Sequence, residues 1–441
     1  MKDSLTKLAE NIIFGLTILS AACAPLFFLP TTTEFFDYNK FTIQLVITAV
    51  GLLVWSAKMI IEKRTVFTRS PMDVPFLIMG AVLFISAFTS IDQHVSLFGA
   101  QGKIWPSFIP YLVLVAFYFV VASNLKTKKQ VSMVIWTLVI STTLASLISI
   151  TSYFGAFLPF DFAQVRSFNT VGIINRLSLI QAVIIPIAVA FAIFDKDKMA
   201  RSVGTVASLI MAFSFILINN LPAYVGLFAA LATLSIGTVK VKLTKTQQGH
   251  AAILAVVVAL FLVIRFVPPV ATGTLGQWIS TKDENISVQQ KIETPKERSI
   301  PTRAAWDIAA QSIGKRPLFG TGVGTYPFVY TQLKPRYLNS TDDWSVRYTS
   351  STSDFSDAIA TTGIFGTLGF LILAIATLRF IWSLLIKSQH TIVYLPLVSA
   401  TLGYLVSLFF YNFLVWNFYD IFPLDCRPCC TCQSLQRRTR L

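Results

Sequence analysis

Apolar residues along this chain come in long uninterrupted runs, not in alternation with polar ones. Each run is close to the ~20 residues that a helix needs to cross the hydrocarbon of a bilayer. The runs predict helices at roughly 11–30, 41–61, 74–90, 107–123, 131–153, 172–193, 203–219, 222–238, 250–268, 357–386 and 393–418. That is about eleven spans, and the fold class is an all-α polytopic integral membrane protein. A membrane β-barrel would show alternating segments of about ten residues, which these runs do not. The first run, Asn11 to Pro30, lacks a small-residue cleavage site leading into a soluble domain, so it reads as a retained helix and not a removed signal peptide.

The polar connections carry the orientation signal. Alternate loops hold Lys63, Arg64 and Arg69, then Lys126, Lys128 and Lys129, then Lys196, Lys198 and Arg201, then Lys240, Lys242 and Lys245. Lys and Arg in short loops mark the cytoplasmic side, which puts the N-terminus inside. The intervening loops are poorer, with Lys40 in one and Lys103 in another. Residues 269–356 then fall outside the cytoplasm as the one sizeable soluble segment. Long translocated segments escape the charge rule, so its many basic residues do not conflict with this topology. The expected organisation is a helix bundle over 1–268, an external loop over 269–356, further spans over 357–424, and an atypical tail over 425–441. Composition agrees. The chain is 54% hydrophobic and 13% charged, with mean hydropathy +0.66, against about a quarter charged in soluble domains. The net charge of +15 is first a topology signal. Membrane lipid is the expected anionic partner, and no nucleic acid is expected.

Within the external segment, ERSIPTRAAWDIAAQSIGKRP reads as an amphipathic helix. Ser299 is its expected N-cap, with Pro301 in the first turn. Trp306, Ala309, Ala310 and Ile313 are expected to share its apolar face, and Gly314 to end it in a left-handed conformation before Pro317. A turn with Gly320, Gly322 and Gly324 follows. It is a poor phosphate loop, with no GK[ST], no preceding strand and no helix opening at Gly324. On the residues alone it is a tight turn that brings the chain close under the preceding helix. Trp105 and Phe108, in QHVSLFGAQGKIWPSF, lie on the same side, as interface-belt aromatics or as faces for sugars to stack on.

Three blocks together resemble the O-antigen ligase and polymerase superfamily. Arg303, Trp306, Pro317, Leu318, Phe319, Gly320, Gly322, Gly324 and Tyr326 are similar to that family's R…W…P-L-x-G-x-G-x-G-x-[FY]. RSFNTVGIINRLSL resembles its block opening a middle helix, through Arg166, Thr170, Gly172, Asn175 and Leu177. TTGIFGTLGFL, at 361–371, resembles its entry into the next helix. In the RSFNTVGIINRLSL block Asn169 replaces a glycine of the family and Ile173 an asparagine, and two further departures matter more. Thr352 and Ser353 stand where the family carries a His-Asn pair, and NNLPAY lacks the family's Ser-Arg. His94 is on an outer loop, while His250 and His390 fall at the cytoplasmic side, so none replaces the missing one easily.

The resemblance implies a glycosyltransferase of the bacterial cytoplasmic membrane. Its donor would be a glycan on undecaprenyl diphosphate and its acceptor a glycan, a lipid or a protein hydroxyl. Arg166 and Arg303 are the expected cations for the departing diphosphate, because the guanidinium fork pairs with phosphate oxygens. Asp354 is the expected general base, with Asp357 beside it. Lys315, Arg316, Gly320, Gly322, Gly324, Asn175, Thr352 and Ser353 are the expected substrate contacts. No cofactor or metal is expected. The missing His favours an alternative, a non-catalytic binder or transporter of lipid-linked glycans. Intramembrane charge that would favour transport is scarce, with Arg176 the clearest example. Within the enzymes, ligase and polymerase remain equally open. The tail, with Cys426, Cys429, Cys430 and Cys432, is too cramped for an ordinary four-ligand zinc site. It is read as a truncation or reading-frame change near Asp425, where the resemblance expects a twelfth helix.

Overall fold

The structure is a computed structural model that describes residues 2–239, 249, 300–387 and 391–410, apart from 33, 66, 101–103, 196 and 342. The helix expected over 250–268, the residues 269–299 with Ser299, His250, His390 and the cysteine tail lie outside the described residues. The helices are α1 (Lys2–Leu26), α2 (Asp37–Glu62), α3 (Asp73–Phe88), α4 (Gln93–Phe98), α5 (Phe108–Asn124), α6 (Lys128–Tyr153), α7 (Ile174–Phe194), α8 (Lys198–Ile218), α9 (Leu221–Val239), α10 (Thr302–Lys315), α11 (Tyr326–Leu333), α12 (Asp354–Lys387) and α13 (Thr391–Phe410). No strand occurs among the described residues.

Six of these helices, α1, α2, α6, α7, α8 and α12, are long and apolar enough to cross a membrane. Four more, α3, α5, α9 and α13, are apolar over shorter lengths. The sequence reading expects about eleven spans; six candidate spans are what length and composition give among the described residues. Helices dominate because a segment in lipid must satisfy its own backbone donors and acceptors.

The helix ends follow local chemistry. Thr127 and Gln130 form a capping box that opens α6. Asp197 caps α8 by accepting from the Met199 amide at 3.2 Å. Lys63 and Asn219 close α2 and α8 in left-handed conformations, φ 54° and 50°.

The bundle is centred on α7, which is buried on nearly all sides. Its Leu177, Leu179, Ile184 and Ala188 are fully covered, packed with residues of α6, α8, α9 and α13. A clasp of Gln181, Ser146 and Ser214 joins α7 to α6 and α8, the amide donating at 2.8 and 2.9 Å. A second group of α3, α5 and α12 packs around Phe76, Leu83 and Tyr118.

One end of the bundle is tied by charge. The fully buried Lys58 of α2 donates to Glu10 of α1 at 2.9 Å and to Asn124 of α5 at 3.0 Å. Lys126 reaches the same carboxylate at 2.8 Å. Glu10 thus balances two cations at the end that also carries the basic loops.

Candidate functional site

The opposite end is where the chemistry-bearing segments gather. α10 and α11 pack on the start of α12 around Ile300, Ala305, Ile308, Tyr326, Tyr330 and Ile359. The face of α10 that is buried consists of Ala304, Ala305, Ile308, Ala309 and Ser312, with Ile313 packed half-buried beside it, which bears out Ala309 and Ile313 and corrects the sequence reading at Trp306 and Ala310. Trp306 is 46% exposed and Ala310 is also outside. The reason is close packing: small residues let α10 approach α12, and the indole lies at the margin, edge-on to Phe355. Gly314 does not end α10. It lies within the helix, which runs on to Lys315. Pro301 occupies the N-cap position, with no side-chain cap bond.

The glycine turn is stitched into a break in α12. Gly363 has φ 64° and ψ −156°, which interrupts the helix. A break there leaves the Ile364 and Phe365 amides and the Ala360 and Thr361 carbonyls without their i→i−4 partners. All four are re-satisfied from the preceding segment. Ile364 N–H donates to Pro317 O at 2.9 Å and Phe365 N–H to Leu318 O at 3.2 Å. Gly322 N–H donates to Thr361 O at 2.8 Å, and the Ser312 hydroxyl to Ala360 O.

The glycines are required by neighbours other than the preceding helix. A Cβ at Gly320 would lie 2.3 Å from Thr361 O, and one at Gly324 2.5 Å from Pro106 O. Ile91 N–H donates to Thr321 O at 2.9 Å, which brings the 90–106 connection into the same joint. A helix does open just past Gly324, at Tyr326, contrary to the sequence reading.

Beside this joint is a cavity of about 100 Å³ between α3, α5, α12 and α13. Its walls are mostly apolar, with Leu83, Tyr111, Phe370 and Leu408, and Asp354, Asp357, Thr361 and Thr362 contribute polar groups. Trp105 and Pro106 also line it, and Phe108 packs edge-on to Phe84 at 5.3 Å. Asp357 is buried and accepts from the Ser351 amide at 3.2 Å. Burial, foremost, and the nearby Asp357 charge push the Tyr326 phenol well above its ordinary pKa.

Thr352 and Ser353 are engaged within the protein. The Thr352 hydroxyl donates to Ile300 O at 2.8 Å, and the Ser353 hydroxyl accepts from the Ser356 amide at 3.2 Å, capping α12.

The cations are placed differently. Arg303 is exposed on α10, its guanidinium carbon 5.4 Å from the centroid of the Tyr337 ring. Lys315 and Arg316 are exposed at the end of that helix.

Arg166 sits half-buried in the 165–167 turn, within a segment whose described contacts run to α1, α2 and Asn220 in the α8–α9 connection. Lys40, buried in α2, donates to the Thr170 and Val171 carbonyls, each at 3.0 Å. The Thr170 hydroxyl donates to Pro25 O at 2.7 Å. Asn175 lies in the first turn of α7, where its carbonyl accepts from the Ser178 hydroxyl at 2.6 Å. Arg176 pairs with Asp37 at 2.6 Å. Sequence reasoning missed Lys40 and Asp37 because their partners are more than a hundred residues away.

These features define a multi-pass, all-helical membrane protein whose polar joint gathers at one end of the bundle. Residues 206–371 match the family model described as O-Antigen ligase, so that segment is similar to the O-antigen ligases. The match spans α8 to the first half of α12 and so includes the whole joint between the glycine turn and Gly363. No curated protein matches the chain.

Proposed function

We propose that the protein transfers a glycan from an undecaprenyl-diphosphate carrier to an acceptor, in the manner of an O-antigen ligase, at the outer face of the bacterial cytoplasmic membrane. The observation that carries this reading is the family match, which falls on the residues that build the joint. The glycine turn, the exposed cations of α10 and Asp354 all belong to the segment read as external, and the other half of the joint, 360–365, begins the span that follows it. In the proposed step the acceptor hydroxyl oxygen bonds to the anomeric carbon. The bond from that carbon to the diphosphate oxygen breaks, and its electron pair leaves with undecaprenyl diphosphate. The acceptor proton passes to Asp354. Arg303 and Arg166 stabilise the charge that develops on the diphosphate, and Lys315 and Arg316, about 18 Å further along α10, steer the donor's diphosphate or lie against lipid phosphates. Gly320, Gly322, Gly324, Thr352 and Ser353 frame the site through the contacts described above, and Asn175, at the start of α7, is the proposed substrate contact on the side of Arg166.

The test is incubation of the purified protein with a labelled undecaprenyl-diphosphate oligosaccharide and candidate acceptors, measuring release of undecaprenyl diphosphate. Release with one shifted acceptor band supports a ligase; release with a ladder supports the polymerase alternative. Arg303→Ala is expected to abolish release while the protein still expresses and stays monodisperse. The presence of Thr352 and Ser353 in place of the family's His-Asn pair favours the second reading, a non-catalytic binder or transporter. Donor binding without release, beside an active relative assayed in parallel, would establish that reading.

A further inference from the structure

The exposed side of α10 holds a chain of contacts that the transfer reading leaves unused. Arg303 and Asp307 are four residues apart on one helical face, the spacing at which opposite charges pair directly. They do not pair here: among the described residues Arg303 makes no ion pair, and the Asp307 carboxylate instead accepts from the Tyr337 phenol at 2.9 Å. The same Tyr337 ring lies under the Arg303 guanidinium at 5.4 Å. Tyr337 belongs to the short 3-10 turn Arg336–Ser340, which is pinned by the buried Leu338. One residue on an anchored turn therefore does two things. Its hydroxyl engages one oxygen of the carboxylate, Oδ2, and its ring face holds the cation. Among the described residues no hydrogen bond takes any of the five N–H donors of Arg303, which leaves them to an anion.

We propose that Tyr337, held by Asp307, is a positioning residue that keeps Arg303 available to the diphosphate of the lipid-linked donor. This rests on the reading of Arg303 given above.

The test measures binding of undecaprenyl diphosphate to the full-length protein in nanodiscs, with melting temperature as the control for folding. Tyr337→Leu is expected to weaken binding about two- to fivefold, the size of an exposed cation–π contact. Arg303→Ala is expected to weaken it more, and Tyr337→Leu added to Arg303→Ala to change nothing further. Adding Asp307→Ala to Tyr337→Leu is expected to restore part of the loss, because the carboxylate that captures Arg303 is gone. Tyr337→Phe keeps the ring and frees Asp307, so it should also bind more weakly and be rescued by Asp307→Ala. The proposal is overturned if the Tyr337 and Arg303 losses multiply, if Tyr337→Leu and Tyr337→Phe both bind like the parent, or if Asp307→Ala rescues neither. An Arg303→Ala variant that binds like the parent would remove the reading of Arg303 itself, and the positioning role with it.

Discussion

Replacing Gly363 with alanine should unseat the joint between the glycine turn and α12. The backbone at Gly363, φ 64° and ψ −156°, lies in a region that is essentially glycine's alone, and an L-residue there costs about 1–3 kcal/mol. Space is short as well. A Cβ would lie 2.7 Å from Pro317 O, 2.8 Å from Gly320 N and 2.8 Å from Leu318 O, all backbone atoms that no rotamer change can move. Relief requires the turn to withdraw, stretching the bonds from Ile364 and Phe365 to the Pro317 and Leu318 carbonyls. Each contributes about 1 kcal/mol. The total is about 3–5 kcal/mol, in the range reserved for severe substitutions. Gly314 supplies the control on the same segment. It is helical, and a Cβ there meets nothing within 4 Å, so Gly314→Ala should stabilise by about 0.5–1 kcal/mol. Scanning fluorimetry of both variants in detergent reads the difference. If Gly363→Ala melted with Gly314→Ala, within about a degree, the account of the joint would be wrong.

Three further substitutions probe other parts of the structure. Ser353→Ala removes the α12 cap and should cost about 1 kcal/mol, read as a lower melting temperature at unchanged expression. Glu10→Ala leaves the buried Lys58 without its carboxylate and should destabilise more than the paired Glu10→Gln/Lys58→Met replacement, because an unpaired buried charge is worse than none; the two melting temperatures in the opposite order would refute this. Lys40→Met takes away the ammonium that holds the Thr170 and Val171 carbonyls, so limited trypsin treatment should cut faster after Arg166, seen as a new N-terminus at Ser167.

The helices were the legible part of this chain, because each long apolar run is a local signal that lipid converts directly into backbone pairing. Capping was not read even where it is local: Thr127 and Gln130 form a capping box that opens α6 at Lys128, three residues before the helix expected at 131. The face of α10 was read rightly at Ala309 and Ile313 and misread at Trp306 and Ala310, because apolar size is a poor guide where two helices pack through alanines. The partner decides the face, and the partner is the start of α12, some fifty residues on. The joint itself was visible only as two separate glycine patterns. Its substance is the exchange of hydrogen bonds between 317–322 and 360–365, which no local periodicity encodes. The same holds for Arg176, which reads from sequence as a charge near a helix end and in the structure is paired with Asp37.

Thr352 and Ser353 bear most directly on the choice between enzyme and binder. Where the resemblance places an imidazole able to take a proton near neutral pH, this chain has two hydroxyls that do backbone work. One holds the Ile300 carbonyl and the other caps α12. Neither hydroxyl titrates in the range where a general base is useful. If transfer occurs, the proton must go to a carboxylate, and Asp354 and Asp357 both line the adjacent cavity. Asp357 is buried and already accepts from the Ser351 amide, which ties it into the helix start. Asp354, one turn earlier and half-buried, is the better placed of the two to meet an incoming hydroxyl. The two residues therefore separate the readings. A transferase using this site should lose turnover but keep donor binding on Asp354→Asn, whereas a binder should be indifferent to that change in both measurements.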